Sequence, residues 1–164
     1  MLLRHLLAIA LLPFVVVVLV PRWLLRLEPL GGIDASSASL LTGRTLGAMI
    51  FLAGFALFTW SVLLFARVGR GTLAPWDPTR RLVVAGPYRH VRNPMISAVA
   101  TMLTGEALFF LSLRIVLWVL LFVAINHAYF LLMEEPGLVH RFGEEYERYR
   151  AAVPRWLPRR RGWP

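Results

Sequence analysis

Cysteine is missing from all 164 residues, which excludes disulfides, thiolate metal sites and a covalent cysteine nucleophile. Charge is scarce as well: 16% of residues are charged, against about a quarter in a typical soluble domain. Nucleotide-loop and metal patterns are also lacking. Gly69-x-Gly71 stands alone, with no G-x-G-x-x-G after a strand, and no His-x-x-x-His or similar ligand spacing occurs. No metal is therefore expected. Internal repeats and low-complexity segments are absent too.

What the chain has is apolar sequence, 58% of its residues. It gathers in four stretches, 6–21, 45–66, 93–113 and 115–133. The last three hold about 19 to 22 residues each, close to the ~20 that a helix needs to cross the hydrocarbon. The first is shorter, contains Pro13 and is flanked by Arg4 and Arg22; it spans only by tilting or by borrowing Trp23, Leu24 and Leu25. A cleaved signal peptide is the competing reading of that segment, but no small-x-small site follows it directly. The expected fold is an all-α integral membrane protein of about four transmembrane helices, with membrane lipids as its surroundings.

The net charge of +9 raises the question of nucleic acid, and its placement answers it. Arg67, Arg70, Arg80, Arg81, Arg89 and Arg92 crowd one loop, while Arg141, Arg148, Arg150, Arg155, Arg159, Arg160 and Arg161 crowd the tail. Two apolar stretches separate these regions, so both fall on one side, the cytoplasmic side by the positive-inside bias. Four spans then leave both termini in the cytoplasm and the chain in the inner membrane. Arg22, Arg26 and Arg44 weaken that asymmetry without reversing it. No nucleic-acid partner is expected.

Along the chain, GGIDASSAS at 31–39 reads as an exposed loop. Gly47 and Gly54 share a helix face, where small residues let backbones approach. In the loop 67–92, Pro75, Pro78 and Pro87 prevent a continuous helix. Spans three and four form a tight hairpin, with Ser112, Leu113 and Arg114 for the turn. Pro136-Gly137 predicts a kink or break. Leu138, Phe142, Tyr146, Tyr149 and Val153 then fit one interfacial helix from Leu138 to Val153, with Glu144 and Arg148 as a supporting pair.

Several polar groups sit against this apolar sequence. Glu134 and Glu135 end span four, where carboxylates face the negative end of the helix dipole. They either mark the membrane exit and pair with arginines such as Arg141, or stand ready to accept hydrogen bonds from ribose hydroxyls or a cation. Asn126 and His127 lie inside span four, where polar groups usually face the bundle interior or a cavity. His127 and Glu134 share a face about 10 Å apart, and Glu106 lies about 18 Å along its helix from Pro94. Each is either an interhelical bond or part of a site. In GPYRHVRNPMI at 86–96, Asn93 is a reasonable N-cap and Pro94 suits a helix start. That helix N-terminus also offers free N–H groups to an anion.

Taken together, Gly86-Pro87-Tyr88, Arg92-Asn93-Pro94-Met95-Ile96, Glu134-Glu135-Pro136-Gly137-Leu138, Phe142-Gly143-Glu144-Glu145-Tyr146 and Val153-Pro154 resemble the isoprenylcysteine carboxyl methyltransferase and phospholipid methyltransferase superfamily. The resemblance covers about the C-terminal half. It implies residues 1–66 as N-terminal spans and 67–164 as a methyltransferase core, with a cytoplasmic cofactor-binding loop. It implies S-adenosylmethionine-dependent transfer of a methyl group to a lipophilic acceptor at the cytoplasmic membrane face. The cofactor is expected against Arg80, Arg81, Leu82, Val83, Gly86, Tyr88, Arg92, Asn93, Pro94, Met95, Ile96, Glu134 and Glu135. Substrate candidates are Asn126, Phe130 and Arg141, and Glu135 and His127 are the candidates for proton transfer. Two departures from the family pattern matter: Asn93 and Ile96 replace a His and a Tyr, and Phe130 stands where the carboxyl methyltransferases carry an arginine. The latter speaks against a prenylcysteine carboxylate. A membrane reductase using NADPH and a non-catalytic scaffold are the competing readings.

Overall fold

The computed structural model describes residues 12–27, 37–68 and 82–164. The loop at 31–36, Gly69-x-Gly71, Pro75, Pro78, Arg80 and Arg81 lie outside the described residues. Regular structure among the described residues is all helical: α1 (Val20–Leu27), α2 (Ser37–Val68), α3 (Pro94–Phe110), α4 (Leu113–Tyr129), α5 (Glu135–Phe142) and α6 (Glu144–Ala152). Two helical stretches, Ser39–Leu64 and Leu113–Phe142, are long and apolar enough to cross a membrane, and Pro94–Phe110 is a shorter apolar helix.

Two five-residue π-helical turns interrupt the α geometry, at Val15–Leu19 and at Phe130–Glu134. Each is followed by one residue and then a proline, Pro21 in one case and Pro136 in the other. Proline lacks an N–H, and its ring collides with the carbonyl four residues back. Widening the preceding turn relieves both problems: Val20 N–H bonds to the Val15 carbonyl, and Glu135 N–H bonds to the Phe130 carbonyl. The break expected at Pro136-Gly137 is therefore replaced by a bulge, and α5 runs through both residues.

The chain forms two compact units. In the first, Met1–Ala56 with Ala98–Val123, small residues set the packing, as their spacing predicts. A Cβ on Gly47 would stand 2.6 Å from the Gly105 carbonyl oxygen, and one on Gly54 would stand 2.9 Å from that of Ala98. Helix α2 thus touches α3 backbone to backbone. The α3–α4 hairpin is as tight as expected. Its turn is Leu111-Ser112, with Leu111 at φ 50, Ser112 N–H bonded to the Ala107 carbonyl, and Ser112 Oγ accepting the Ile115 N–H. The Trp118 indole donates to the Val16 carbonyl at 3.1 Å.

The second unit is Leu57–Ser97 with Ala124–Pro164. Tyr146, Tyr149 and Val153 form its buried centre, with Leu82, Val84, Leu138, Val139, Phe142, Ala152 and Trp163 packed around them. The single helix expected from Leu138 to Val153 is two helices, because Gly143 takes φ 53 between α5 and α6. The three- and four-residue spacing survives the break because both helices turn their apolar sides to the same cluster. Arg148 donates from Nε to the Glu144 carbonyl oxygen rather than forming the expected side-chain pair.

Candidate functional site

Residues 86–92 form a compact turn whose shape follows from its first residue. Gly86 has φ 52, and a Cβ there would meet Leu64 Cδ1 at 2.6 Å and the Trp60 ring at 3.2 Å, so only glycine fits. The C-terminal segment is tied to this turn. Arg159 and Trp163 donate their backbone N–H groups to the His90 and Arg89 carbonyls. The Arg89 side chain donates to the Trp163 carbonyl, and His90 Nδ1 lies 2.8 Å from the Arg159 carbonyl. Arg92 N–H bonds to the Pro154 carbonyl.

Tyr88 is buried, and its carbonyl accepts the Tyr149 hydroxyl at 2.6 Å. Burial pushes the Tyr88 phenol far above its ordinary range, with Tyr149 and the Glu134 carboxylate adding to the shift. Burial likewise raises Tyr149, helped by Tyr146 and opposed by Arg92. These phenols therefore act as neutral hydrogen-bonding groups. The turn at 86–92 and the acidic pair come together, because Arg92 Nη1 donates to Glu135 Oε1 at 2.7 Å.

Glu135, not Glu134, is the buried member of the pair. A single oxygen, Oε1, takes Arg92 Nη1 at 2.7 Å, Arg155 Nη2 at 2.6 Å and Arg155 Nε at 2.8 Å. All three side chains are nearly shielded, with 8% of Glu135, 11% of Arg92 and 13% of Arg155 exposed. In such surroundings the three contacts are charge-assisted hydrogen bonds, and each partner offsets the cost of burying the other. Arg155 also reaches His127 Nδ1 at 3.4 Å, and the Trp156 indole donates to the same nitrogen at 3.1 Å. Nδ1 is therefore the acceptor, and the ring N–H of neutral His127 is on Nε2. Trp156 also lies 5.7 Å from the Phe130 ring.

Of the residues singled out from sequence, Tyr88, Arg92, Glu134, Glu135, His127 and Phe130 are thus drawn into one neighbourhood. Phe130 is fully buried. Leu82 packs on the tyrosine cluster, and Val83 is buried. Pro94 opens α3, and the Asn93 carbonyl accepts the Ser97 N–H. Met95, Ile96 and Asn126 are half-buried. Arg141 is exposed and lies over the Phe142 ring, and of the two carboxylates expected near such arginines Glu135 is held by Arg92 and Arg155. Arg155 and Trp156 are the residues that sequence reasoning missed. Arg155 was one of the crowded tail arginines, and no periodicity links it to a glutamate 20 residues earlier.

Residues 42–145 match the family model described as phospholipid methyltransferase. No curated protein and no solved structure matches the chain.

Proposed function

Because the chain belongs to the phospholipid methyltransferase family, we propose that it is an integral membrane, S-adenosylmethionine-dependent methyltransferase. In this reading four spans cross the inner membrane and both termini are cytoplasmic. Residues 67–164 form the catalytic core, and the acceptor is a lipid-like or isoprenoid-bearing molecule that reaches the site from the bilayer. The observation that carries the proposal is the family match across 42–145, which contains the GPYRH turn and the acidic pair.

S-adenosylmethionine, when bound, supplies a methyl group on a sulfonium and leaves as S-adenosylhomocysteine once an acceptor lone pair has taken the methyl. The residues present fit such a cofactor. The Arg92 Nε–H is buried and has no hydrogen-bond partner, so it is an unmet donor suited to an amino-acid carboxylate. The free backbone N–H groups at the start of α3 add to it. Glu134 is half-buried and takes no part in the ion pairs of Glu135, so it can accept from hydroxyl or amino groups. Tyr88, whose phenol lies close enough to feel the Glu134 charge, adds an aromatic group there.

The remaining work of the chain is alignment and exclusion of water, the terms that dominate an in-line displacement. Glu135, with three donors on one oxygen, acts as a brace for Arg92. His127 offers an Nε2–H donor, suited to an oxygen of the acceptor rather than to removing its proton.

The test is incubation of the purified protein with radiolabelled S-adenosylmethionine and a total membrane extract. Label entering the organic phase, and its loss in Glu134→Gln, supports the reading. Absence of both labelled lipid and S-adenosylmethionine binding overturns it, and binding of NADPH instead favours the reductase. Reporter fusions at each terminus test the topology, which fails if either reporter is periplasmic.

A further inference from the structure

Within the first unit, a cleft of about 310 Å³ is lined by Gly47, Phe51, Leu52, Glu106, Phe109 and Phe110 among others. Its walls are apolar and aromatic except for one carboxyl. Glu106 Oε2 is shut off from solvent and has no hydrogen-bond partner. Among the described residues the ion pairs belong to Glu135, and no described cation pairs with Glu106.

We propose that this cleft binds a lipid-soluble molecule whose chain carries one hydrogen-bond donor, a hydroxyl or an ammonium, with Glu106 as the acceptor. A carboxyl inside an apolar helix of a membrane-associated chain is costly and is kept where it meets a partner. The hydrocarbon supplies no water to satisfy it. None of the described residues supplies that partner, so in this proposal it comes from another molecule, and only one that is mostly apolar can enter these walls.

The size of the cleft agrees, since it lies at the lower end of ligand pockets, which run from about 300 to 1,000 Å³. A cleft of that size suits a slender, single-chain molecule. The cleft is also preformed. Where Gly47 faces Gly105, a Cβ on either residue would lie within 2.7 Å of backbone atoms of the other helix, so this side cannot close further to bury Glu106 on its own. The helix walls are thus in place beforehand, and only the Glu106 side chain, whose Oε2 is covered, has to turn for a donor to reach it. The proposal does not rest on the methyl-transfer reading.

The experiment uses the full chain in lipid nanodiscs and three photoreactive probes of the same chain length: a long-chain alcohol, the corresponding primary amine, and the corresponding hydrocarbon. Labelled peptides are mapped by mass spectrometry. In the native chain, the alcohol, the amine or both should label residues 47–52 and 105–110 about tenfold more than the hydrocarbon, the ratio that one net hydrogen bond supplies. Which of them does so distinguishes hydroxyl from ammonium as the donor. Glu106→Leu should abolish the difference among the probes, and Glu106→Gln should keep a response to the alcohol but not to the amine. Hydrocarbon labelling equal to that of both polar probes in the native chain overturns the proposal and leaves an ordinary acyl chain as the occupant. A preference that survives in Glu106→Leu overturns it too. Should Glu106→Leu fail to fold, the native probe series and Glu106→Gln decide.

Discussion

Arg155 grips Glu135 with two nitrogens on one carboxylate oxygen, at 2.6 and 2.8 Å, across 20 residues of sequence. Arg92 adds a third donor to that oxygen from a segment 43 residues away. The buried carboxylate is therefore the meeting point of the GPYRHVR turn, the end of the long apolar helix and the C-terminal segment. Its two partners are not equivalent, because Arg155 also touches His127.

Removing the shared anion should do more harm than removing either cation. Glu135→Gln leaves two shielded guanidiniums facing each other, a loss of about 3 to 5 kcal/mol for a broken buried ion pair. Arg155→Ala leaves Glu135 still paired with Arg92 and should cost less, about 1 to 3 kcal/mol. Thermal melts of both variants in one detergent check the order. Equal losses, or a smaller one for Glu135→Gln, would show that the three residues do not act as a unit.

Glycines in the two units should respond oppositely to the same substitution. Gly105→Ala drives a methyl group to within 2.6 Å of the Phe51 backbone nitrogen, and the two helices must separate. Overpacking of this kind costs about 1 to 3 kcal/mol. Gly137→Ala meets nothing within 4 Å and lies inside α5, so it should stabilise by up to about 1 kcal/mol through helix propensity. Melting temperatures moving in opposite directions are the expected result. A Gly105→Ala chain that melts at the native temperature contradicts the close contact.

Pro136 acts on its neighbours through the turn before it. In Pro136→Ala the missing N–H returns, the π-helical turn at Phe130–Glu134 loses its cause, and the helix can close to α geometry. Such a change rotates Glu135 by roughly 100° relative to His127 and separates it from Arg155. Helix content by circular dichroism should stay constant while methyl transfer falls by roughly 10²-fold, the loss that misplaced reacting groups bring. Unchanged activity would mean that the register of the acidic pair is not set by Pro136.

That same proline explains much of what was and was not legible in the sequence. The long apolar runs predicted α2 and α4 directly, because hydrocarbon thickness imposes a length. The glycine spacing on α2 predicted a face for close helix contact, and the structure shows that α3 is the helix that meets it. Seven-residue spacing put His127 with Glu134, and an unbroken α-helix would have done so. The π-helical turn inserts one extra residue into that interval, so Glu135 is the one that joins His127 on Arg155. Gly143 was hidden for a different reason: the apolar spacing runs straight through it, and only its positive φ divides α5 from α6. Arg155 had no local signal at all, since its partner is fixed by how the tail returns to residues 86–92.

The buried phenols make stability depend on alkaline pH. Burial is the largest cause raising Tyr88, Tyr146 and Tyr149 above the ordinary phenol value, which is about 10 in an unfolded chain. The unfolded state therefore loses these protons first, and above that pH it binds fewer protons than the folded state. Stability must fall as pH rises. The contribution is fully present below about pH 10 and drains away as the pH climbs toward the folded values. Melting temperature should accordingly be flat with respect to these groups near neutrality and drop steeply in strong alkali. Phenolate absorbance should appear together with unfolding rather than before it. Tyr149→Phe should melt lower near neutrality, through loss of its bond to the Tyr88 carbonyl, yet show a shallower alkaline decline. An alkaline slope unchanged in that variant, or phenolate absorbance of all the tyrosines in the folded chain, would show that the cluster around Tyr149 is open to water.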